Sequence, residues 1–572
     1  MTAASNIKNI RTRSWLQFAA SVAIVILTAI TGSMVVVRLD LTSDKRFSLS
    51  SPTRKILSRL KNDIYIQVYL DGEMPIPFKR LKRSVREMLD EFRIASGRRV
   101  DYEFINPSAS SDSKQRNVQY QSLLSKGLNP IKIHASDKEG GASQKIIFPG
   151  MIVNYNGIEV PVNFLKNNLS VPAEENLLHS EEGLEYDMIQ TISTLNSDTI
   201  YKVAFLEGQG EIPEAGVADI TLNLARFFTV DRGKINGTPG ILDKYAAVIV
   251  AGPQEPFTEE DKFVLDQYIM NGGKVVWLID EVSVNTDSLV WGETAALYRP
   301  LNIEDQIFRY GARINPVIVQ DLDCVTIRLK MMTGGTRQQI VPVPWYYFPK
   351  LTPDPRHPIT RNLNKVEGQF ISSIDTVGLD GKIRKTVLLR TSRNARILNP
   401  PFMISLKEVE SPPDERLFNQ QGLAIAVLLE GTFPSAFRNR FVPRLNGTDH
   451  QSVRNESVKT KMIVISDGDI IRNDVQTSGN TQTPSQQLGL DKYTGELYGN
   501  RDFIINCLNY LVDDNGIMNL RSRELRLRLL DKARIRNERF KWQLINVAGP
   551  LLIALLAGVI YSFFRKRKYA RP

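Results

Sequence analysis

Cysteine is almost missing from this chain: Cys324 and Cys507 are the two in 572 residues, which excludes a disulfide framework and a cysteine-rich metal site and leaves the redox compartment open. Histidine is nearly as scarce. His134, His179, His357 and His450 stand far apart with no metal-ligand spacing, which argues against a zinc centre. No Gly-x-x-x-x-Gly-Lys-Ser/Thr phosphate loop occurs; Gly272-Gly273-Lys274 lacks the first glycine and the hydroxyl residue. Any nucleotide hydrolysis that drives this protein therefore belongs to another subunit. An amidotransferase-type sheet would need a nucleophilic cysteine at a strand-to-helix elbow and a histidine to activate it. Cys324 lies instead in an alternating strand, and Cys507 shares an apolar helix face with Phe503 and Tyr510, so both are expected to be structural. The sequence points to no catalytic residue, no metal and no cofactor.

What is present is hydrophobic length and positive charge. A hydrophobic fraction of 42% and a charged fraction of 24% suit a globular protein of two to four domains, at roughly 100–200 residues each. The net charge of +11 gathers beside the hydrophobic ends, in Lys8, Arg11 and Arg13, in Arg565–Lys568 and between Arg521 and Lys541, so a membrane accounts for it better than nucleic acid does. Trp15 to Val37 has no charged residue and, at about 1.5 Å per residue, covers the roughly 30 Å hydrocarbon core. A cleaved signal peptide is the competing reading, but the run is long and continues into Arg38, Leu39 and Asp40 rather than a small-residue cleavage site. A second run, Leu544 to Phe564, is closed by Arg565, Lys566, Arg567 and Lys568. Two spans put both termini on one side. Basic residues flank every face, and the five in the last eight residues tip the balance toward cytoplasmic termini and an extracytoplasmic body.

Between the spans an α/β body is expected. Its first part, 38–195, opens with strand Ile64–Leu70, helix Phe78–Ile94 and strand Val100–Ile105, a small sheet of thioredoxin-like type without a Cys-x-x-Cys, and holds a strand pair turning at Asn156-Gly157. A parallel, amidotransferase- or flavodoxin-like domain begins in 196–300. Its strands Lys202–Leu206, Tyr245–Ala251 and Lys274–Ile279 do not alternate and are separated by helices, one capped by Thr258 with Glu259, Glu260 and Asp261 in its first turn. A proline-bearing, β-rich insertion is expected over 301–460, after which 461–515 returns a closing strand, Lys461–Ser466, and helix Asp502–Val512. Thr477 to Gln487, polar apart from one glycine and one proline, reads as a loop. A basic segment, 516–543, leads to the second span at 544–564 and the tail 565–572.

Four places invite a functional reading beside a plain one. Glu207-Gly208-Gln209-Gly210-Glu211 sits between strand and helix where a dinucleotide fingerprint would, but Pro213 replaces the third glycine and the acids would repel a pyrophosphate. A turn is the plainer reading; a ligand crevice involving Glu207, Gln209 and Glu211 is the other. Asp467-Gly468-Asp469 offers two carboxylates, too few to fill a cation's shell, and also reads as a strand-end turn. Val341 to Pro349, with Trp345, Tyr346 and Tyr347, suits either an aromatic docking surface or core packing. Arg526, Arg528, Arg534 and Arg536 line an amphipathic segment just before the membrane, where they would touch lipid headgroups or a partner, or merely solvate a stalk.

Several segments carry a resemblance. Pro256 to Asp280 (PFTEEDKFVLDQYIMNGGKVVWLID), Pro344 to Leu351 with His357 to Leu363, and Gly499 to Asp514 (GNRDFIINCLNYLVDD) resemble the GldG family, as do Arg46 to Leu57 and Arg528 to Ile535. That family is the gliding-associated auxiliary component of an ABC-type transport system in Bacteroidetes, often labelled substrate-binding. The resemblance spans nearly the whole chain and implies a noncatalytic inner-membrane subunit with a periplasmic domain, working with a GldF-like permease and a separate GldA-like ATPase. Its alternatives are a ligand- or cargo-binding receptor of that transporter and a degenerate amidotransferase-like hydrolase.

Overall fold

The computed structural model describes residues 15–28, 48–136, 142–165, 171–197, 200–333, 337–378, 381–445, 453–478, 481–484, 486–522 and 532–569. The described residues separate into a large unit that extends to Ser522 and a small one from Lys532 onward.

Strand β1 (Ile64–Val68) and β2 (Val100–Phe104) are parallel, joined by helix α1 (Ile76–Ala95). Leu81, Val85, Leu89 and Phe92 recur every three or four residues along α1 and are all buried, which is why this stretch is a helix with one inward stripe. Strands β3 (Gly150–Tyr155) and β4 (Ile158–Asn163) form the hairpin expected at Asn156-Gly157. Both turn residues hold positive φ, 53° and 83°, the conformation a two-residue turn matched to strand twist requires. The four strands make one sheet in the order β2-β1-β3-β4, covered by α1 and α2 (Ala173–Asn196).

The main sheet has ten strands. Along the chain its path uses β5 (Lys202–Glu207), β6 (Thr229–Lys234), β7 (Ala247–Ala251), β8 (Val275–Leu278), β9 (Cys324–Thr333), β10 (Arg337–Pro353), β11 (Ile383–Arg390), β12 (Ala424–Gly431) and β13 (Thr460–Ile465). Their spatial order is β9-β10-β11-β12-β13-β8-β7-β5-β6, with Val366–Glu367 pairing off β10. From β13 to β6 every pairing is parallel; from β9 to β13 every pairing is antiparallel. This corrects one expectation, since the sheet is mixed rather than parallel, and strands from the 301–460 segment make up its antiparallel part. The reason lies in β12, AIAVLLEG, whose run from Ile425 to Leu429 is buried throughout, so it needs cover on both faces and finds it inside the sheet.

Alternate residues of the central strands enter two cores. Ile249, Val276, Leu278, Ile463 and Ile465 face one side; Val248, Val250, Val275, Trp277 and Val464 face the other. Helix α3 (Ala218–Leu224) and helix α5 (Asn500–Val512) cover the first face through Ile220, Phe503, Ile504 and Leu508. Helix α4 (Glu259–Met270) covers the second, starting at Thr258, whose hydroxyl accepts the Asp261 N–H at 3.2 Å. A further correction falls on 477–487: Val475–Ser478 pairs with Thr481–Pro484 as a hairpin, because alternating threonines serve a strand as readily as a loop.

Of the small unit, helix α6 (Lys532–Tyr569) runs through Pro550 and contains Arg536–Arg567, a 32-residue stretch long and apolar enough to cross a membrane. It holds the second expected span. The first expected span begins in the helix Trp15–Thr28, whose side chains are exposed. That helix covers about 21 Å, less than the roughly 30 Å core, and 29–37 lie outside the described residues.

Candidate functional site

In open α/β sheets ligands sit beyond the carboxyl ends of parallel strands, above all where strand order reverses. Here the reversal falls between β5 and β7, since the chain leaves β5 for β6 on one side and returns to β7 on the other. The turn after β5 fills that place. The Gln209 carbonyl accepts N–H bonds from Gln254 and Glu255 at 2.7 and 2.9 Å, and the Ile212 N–H donates to the Ala251 carbonyl at 3.0 Å. Gln209 Nε2 donates to Asp261 at 2.9 Å, and Glu207 pairs with Arg232 at 2.7 Å. Glu211 accepts the Gln209 N–H at 2.8 Å, while burial pushes its carboxyl above the usual range. Glu207, Gln209 and Glu211 are thus brought together as a turn locked onto its neighbour loop. Three buried polar atoms remain without partners among the described residues, Gln209 Oε1, Glu211 Oε1 and Arg232 Nη1. Such atoms suit ordered water.

The next two strand ends carry acids. Leu278 of β8 lies opposite Ile465 of β13, so Asp280 and Asp467 both follow their strands by two residues and meet. Asp280 accepts the Gly468 N–H at 2.8 Å. Asp467 accepts from Asp469 N–H at 2.8 Å and from Gln369 N–H at 2.9 Å. Asp469 pairs with Arg472 at 3.0 Å. Burial pushes Asp280 up to about 7 and raises Asp467 and Asp469, and repulsion from neighbouring carboxyls adds to the rise at Asp280 and Asp467. A side chain at Gly468 would overlap Asp280 and lie 2.8 Å from Gly252 Cα, so glycine is what lets these strand ends close. Among the described residues no group of three or more His, Cys, Asp or Glu is placed to hold a metal ion.

Beside this cluster Glu281 opens onto a cleft of about 310 Å³ with Tyr298, Glu304, Phe308 and Arg313 in its wall. Burial, with repulsion from Glu304, pushes the Glu281 carboxyl up to about 8. Sequence reasoning missed both Asp280 and Glu281. The available signal was the parallel between VVWLID and MIVISD, two apolar strands each ending on an acid.

The other expected contact residues fall elsewhere. Trp345 and Tyr347 are 1% exposed; Tyr347 donates its hydroxyl to Glu408 at 3.0 Å and packs obliquely against Trp345 and Phe370. A docking role for these two is therefore corrected: positions 343, 345 and 347 share the strand's inward face. Tyr346, on the opposite face, is half-buried against Phe418. Arg526 and Arg528 lie outside the described residues, Arg534 lies on α6, and Arg536 is exposed on the same helix. Both cysteines are buried and burial pushes their thiols up, Cys324 to about 12.

A mixed α/β body in one chain with a helix long and apolar enough to cross a membrane is the build of a membrane-associated protein. The chain belongs to the family described as ABC-type uncharacterized transport system, which matches residues 201–507 and makes it an accessory subunit of an ABC-type transporter. Residues 43–154 match a domain of unknown function. An uncharacterized protein of Borreliella burgdorferi is 21% identical over 548 residues, covering 94% of this chain and 95% of its own. Among solved structures, the mmIFT52 N-terminal domain is similar at 13% identity and a TM-score of 0.30, over 55% of this chain and 98% of that one.

Proposed function

We propose that this accessory subunit is noncatalytic and of the GldG type: a two-pass inner-membrane protein with both termini in the cytoplasm and its α/β body in the periplasm. A GldF-like permease spans the membrane beside it, and a GldA-like ATPase supplies the energy. The observation that carries the noncatalytic reading is the switch point of the sheet, where the turn at Gln209 and Ile212 is hydrogen-bonded onto the end of β7 and the loop after it. Both thiols are buried, which also speaks against an amidotransferase-like hydrolase. Arg526, Arg528, Arg534 and Arg536 are the proposed contacts to the permease or to anionic headgroups, each contributing on the order of 1 kcal/mol near such a surface. A role in gliding rests on the resemblance alone. The receptor reading has one observation in its favour, the cleft at Glu281.

Compartment-reporting fusions test the topology. A reporter at position 250 is expected to read periplasmic and one at 570 cytoplasmic. A cytoplasmic signal from position 250 would put the body on the wrong side of the membrane and refute the two-pass arrangement.

A further inference from the structure

The cleft beside the strand ends holds a carboxyl that nothing in the fold uses. Glu281 is 4% exposed, lines the cleft, and makes no side-chain hydrogen bond among the described residues; its backbone carbonyl alone is engaged, by the Arg299 N–H at 2.7 Å. With no protein partner, that carboxyl is satisfied only by what enters the cleft, water or a ligand. The surrounding groups narrow the choice. Glu304, the first residue of the helix Glu304–Tyr310, has one oxygen tied to the Leu301 N–H at 2.7 Å. Asp305 is neutralised by Lys262 and Arg440 at 3.0 and 2.6 Å. Arg313 is exposed and offers the one positive group in the wall, while Tyr298 and Phe308, each about half exposed, form an aromatic rim.

We infer that this cleft binds a protonated amine carried on an apolar or aromatic body, its ammonium received by Glu281 beside Glu304 and its body lodged against Tyr298, Phe308 and Ile314. Once Glu281 is ionised two acids face one exposed arginine, and an ammonium supplies both the charge and the hydrogen bonds that Glu281 lacks. Aromatic rims favour cations that carry apolar bodies. Binding requires Glu281 to ionise, so it releases a proton: a carboxyl held near 8 is mostly protonated at pH 6.5 and mostly ionised at pH 8.5. Glu304, Arg313 and Tyr298, with Asp305 held by Lys262 and Arg440, are the titratable or charged groups that share the cleft with it. The inference gives the receptor reading its ligand class and does not need the transporter partners.

The test uses the full chain in detergent micelles, with phenethylamine as probe and phenethyl alcohol as its neutral counterpart, followed by calorimetry. Phenethylamine is expected to bind about 20-fold more tightly at pH 8.5 than at pH 6.5, and the alcohol at least tenfold more weakly than the amine at pH 8.5. Glu281→Gln should abolish both the preference and its pH dependence while leaving thermal stability at pH 8.5 equal or higher, since it removes a buried charge. Equal binding of amine and alcohol, undiminished amine binding by Glu281→Gln, or no amine binding at pH 8.5 would overturn the inference. Each of those results leaves partner recovery from membranes unaffected, so failure here is distinct from failure of the transporter reading.

Discussion

Asp266→Ala is expected to destabilise the α/β body by about 3–5 kcal/mol, the largest effect of any single polar substitution considered. Asp266 lies on α4 with no exposure, and its two oxygens collect four donors from three parts of the chain. They accept from the Ala436 N–H at 2.7 Å and the Tyr310 hydroxyl at 2.8 Å, and from the Ser435 hydroxyl at 2.7 Å and Gln267 Nε2 at 2.9 Å. Burial holds its carboxyl above the usual range, and these four bonds pull it back. Removing the side chain strands the Ala436 N–H and the Ser435 hydroxyl in the interior, and each buried donor without a partner costs about 1–3 kcal/mol. Chemical denaturation of the wild type and variant measures the difference; a loss below about 1 kcal/mol would show that the network does not tie 433–437 and α4 together.

Asp280→Asn is expected to stabilise the protein at pH 8 and to have little effect at pH 4. A carboxyl raised in the folded state holds its proton there while the unfolded chain has already released it. Stability from this group is therefore full below the unfolded value near 4 and is lost as pH rises toward the folded value of about 7. At about 1.4 kcal/mol per pKa unit the ceiling is near 4 kcal/mol. A neutral amide keeps an acceptor for the Gly468 N–H, so a gain of about 1–3 kcal/mol at pH 8 is expected. Thermal melts across pH 4 to 8 read it directly. A gain of equal size at both ends of that range would show that ionisation of the buried Asp280 carboxyl is not the source.

Local signals in the sequence carried much of this fold. The inward stripe of α1, the Thr258 cap, the Asn156-Gly157 turn and the unalternating strands β7, β8 and β13 all follow from periodicity and turn chemistry within about a dozen residues. What escaped was long-range. Strands β11 and β12 join the main sheet through antiparallel pairings that no local pattern announces, so 301–460 read as a separate insertion. In VPVPWYYFP the alternation was visible, but which face turned inward depended on Phe370 and Glu408, far along the chain. The Glu281 cleft was hidden for the same reason, since its wall joins residue 281 to 298–308 and 313–316. The turn at 207–211 was legible because its acids, and Pro213 in place of a third glycine, argue against a phosphate site without reference to any partner.

The central claim is that this chain is an accessory subunit of an ABC-type transporter. Purification of the full-length protein from native membranes under mild detergent, with identification of whatever accompanies it, tests that claim most directly. Recovery together with a multi-span permease and a separate nucleotide-hydrolysing subunit, with ATP turnover that disappears once that subunit is stripped away, is the predicted result. Recovery of the chain alone, with ATP turnover abolished by substitution of one of its own residues, would contradict it.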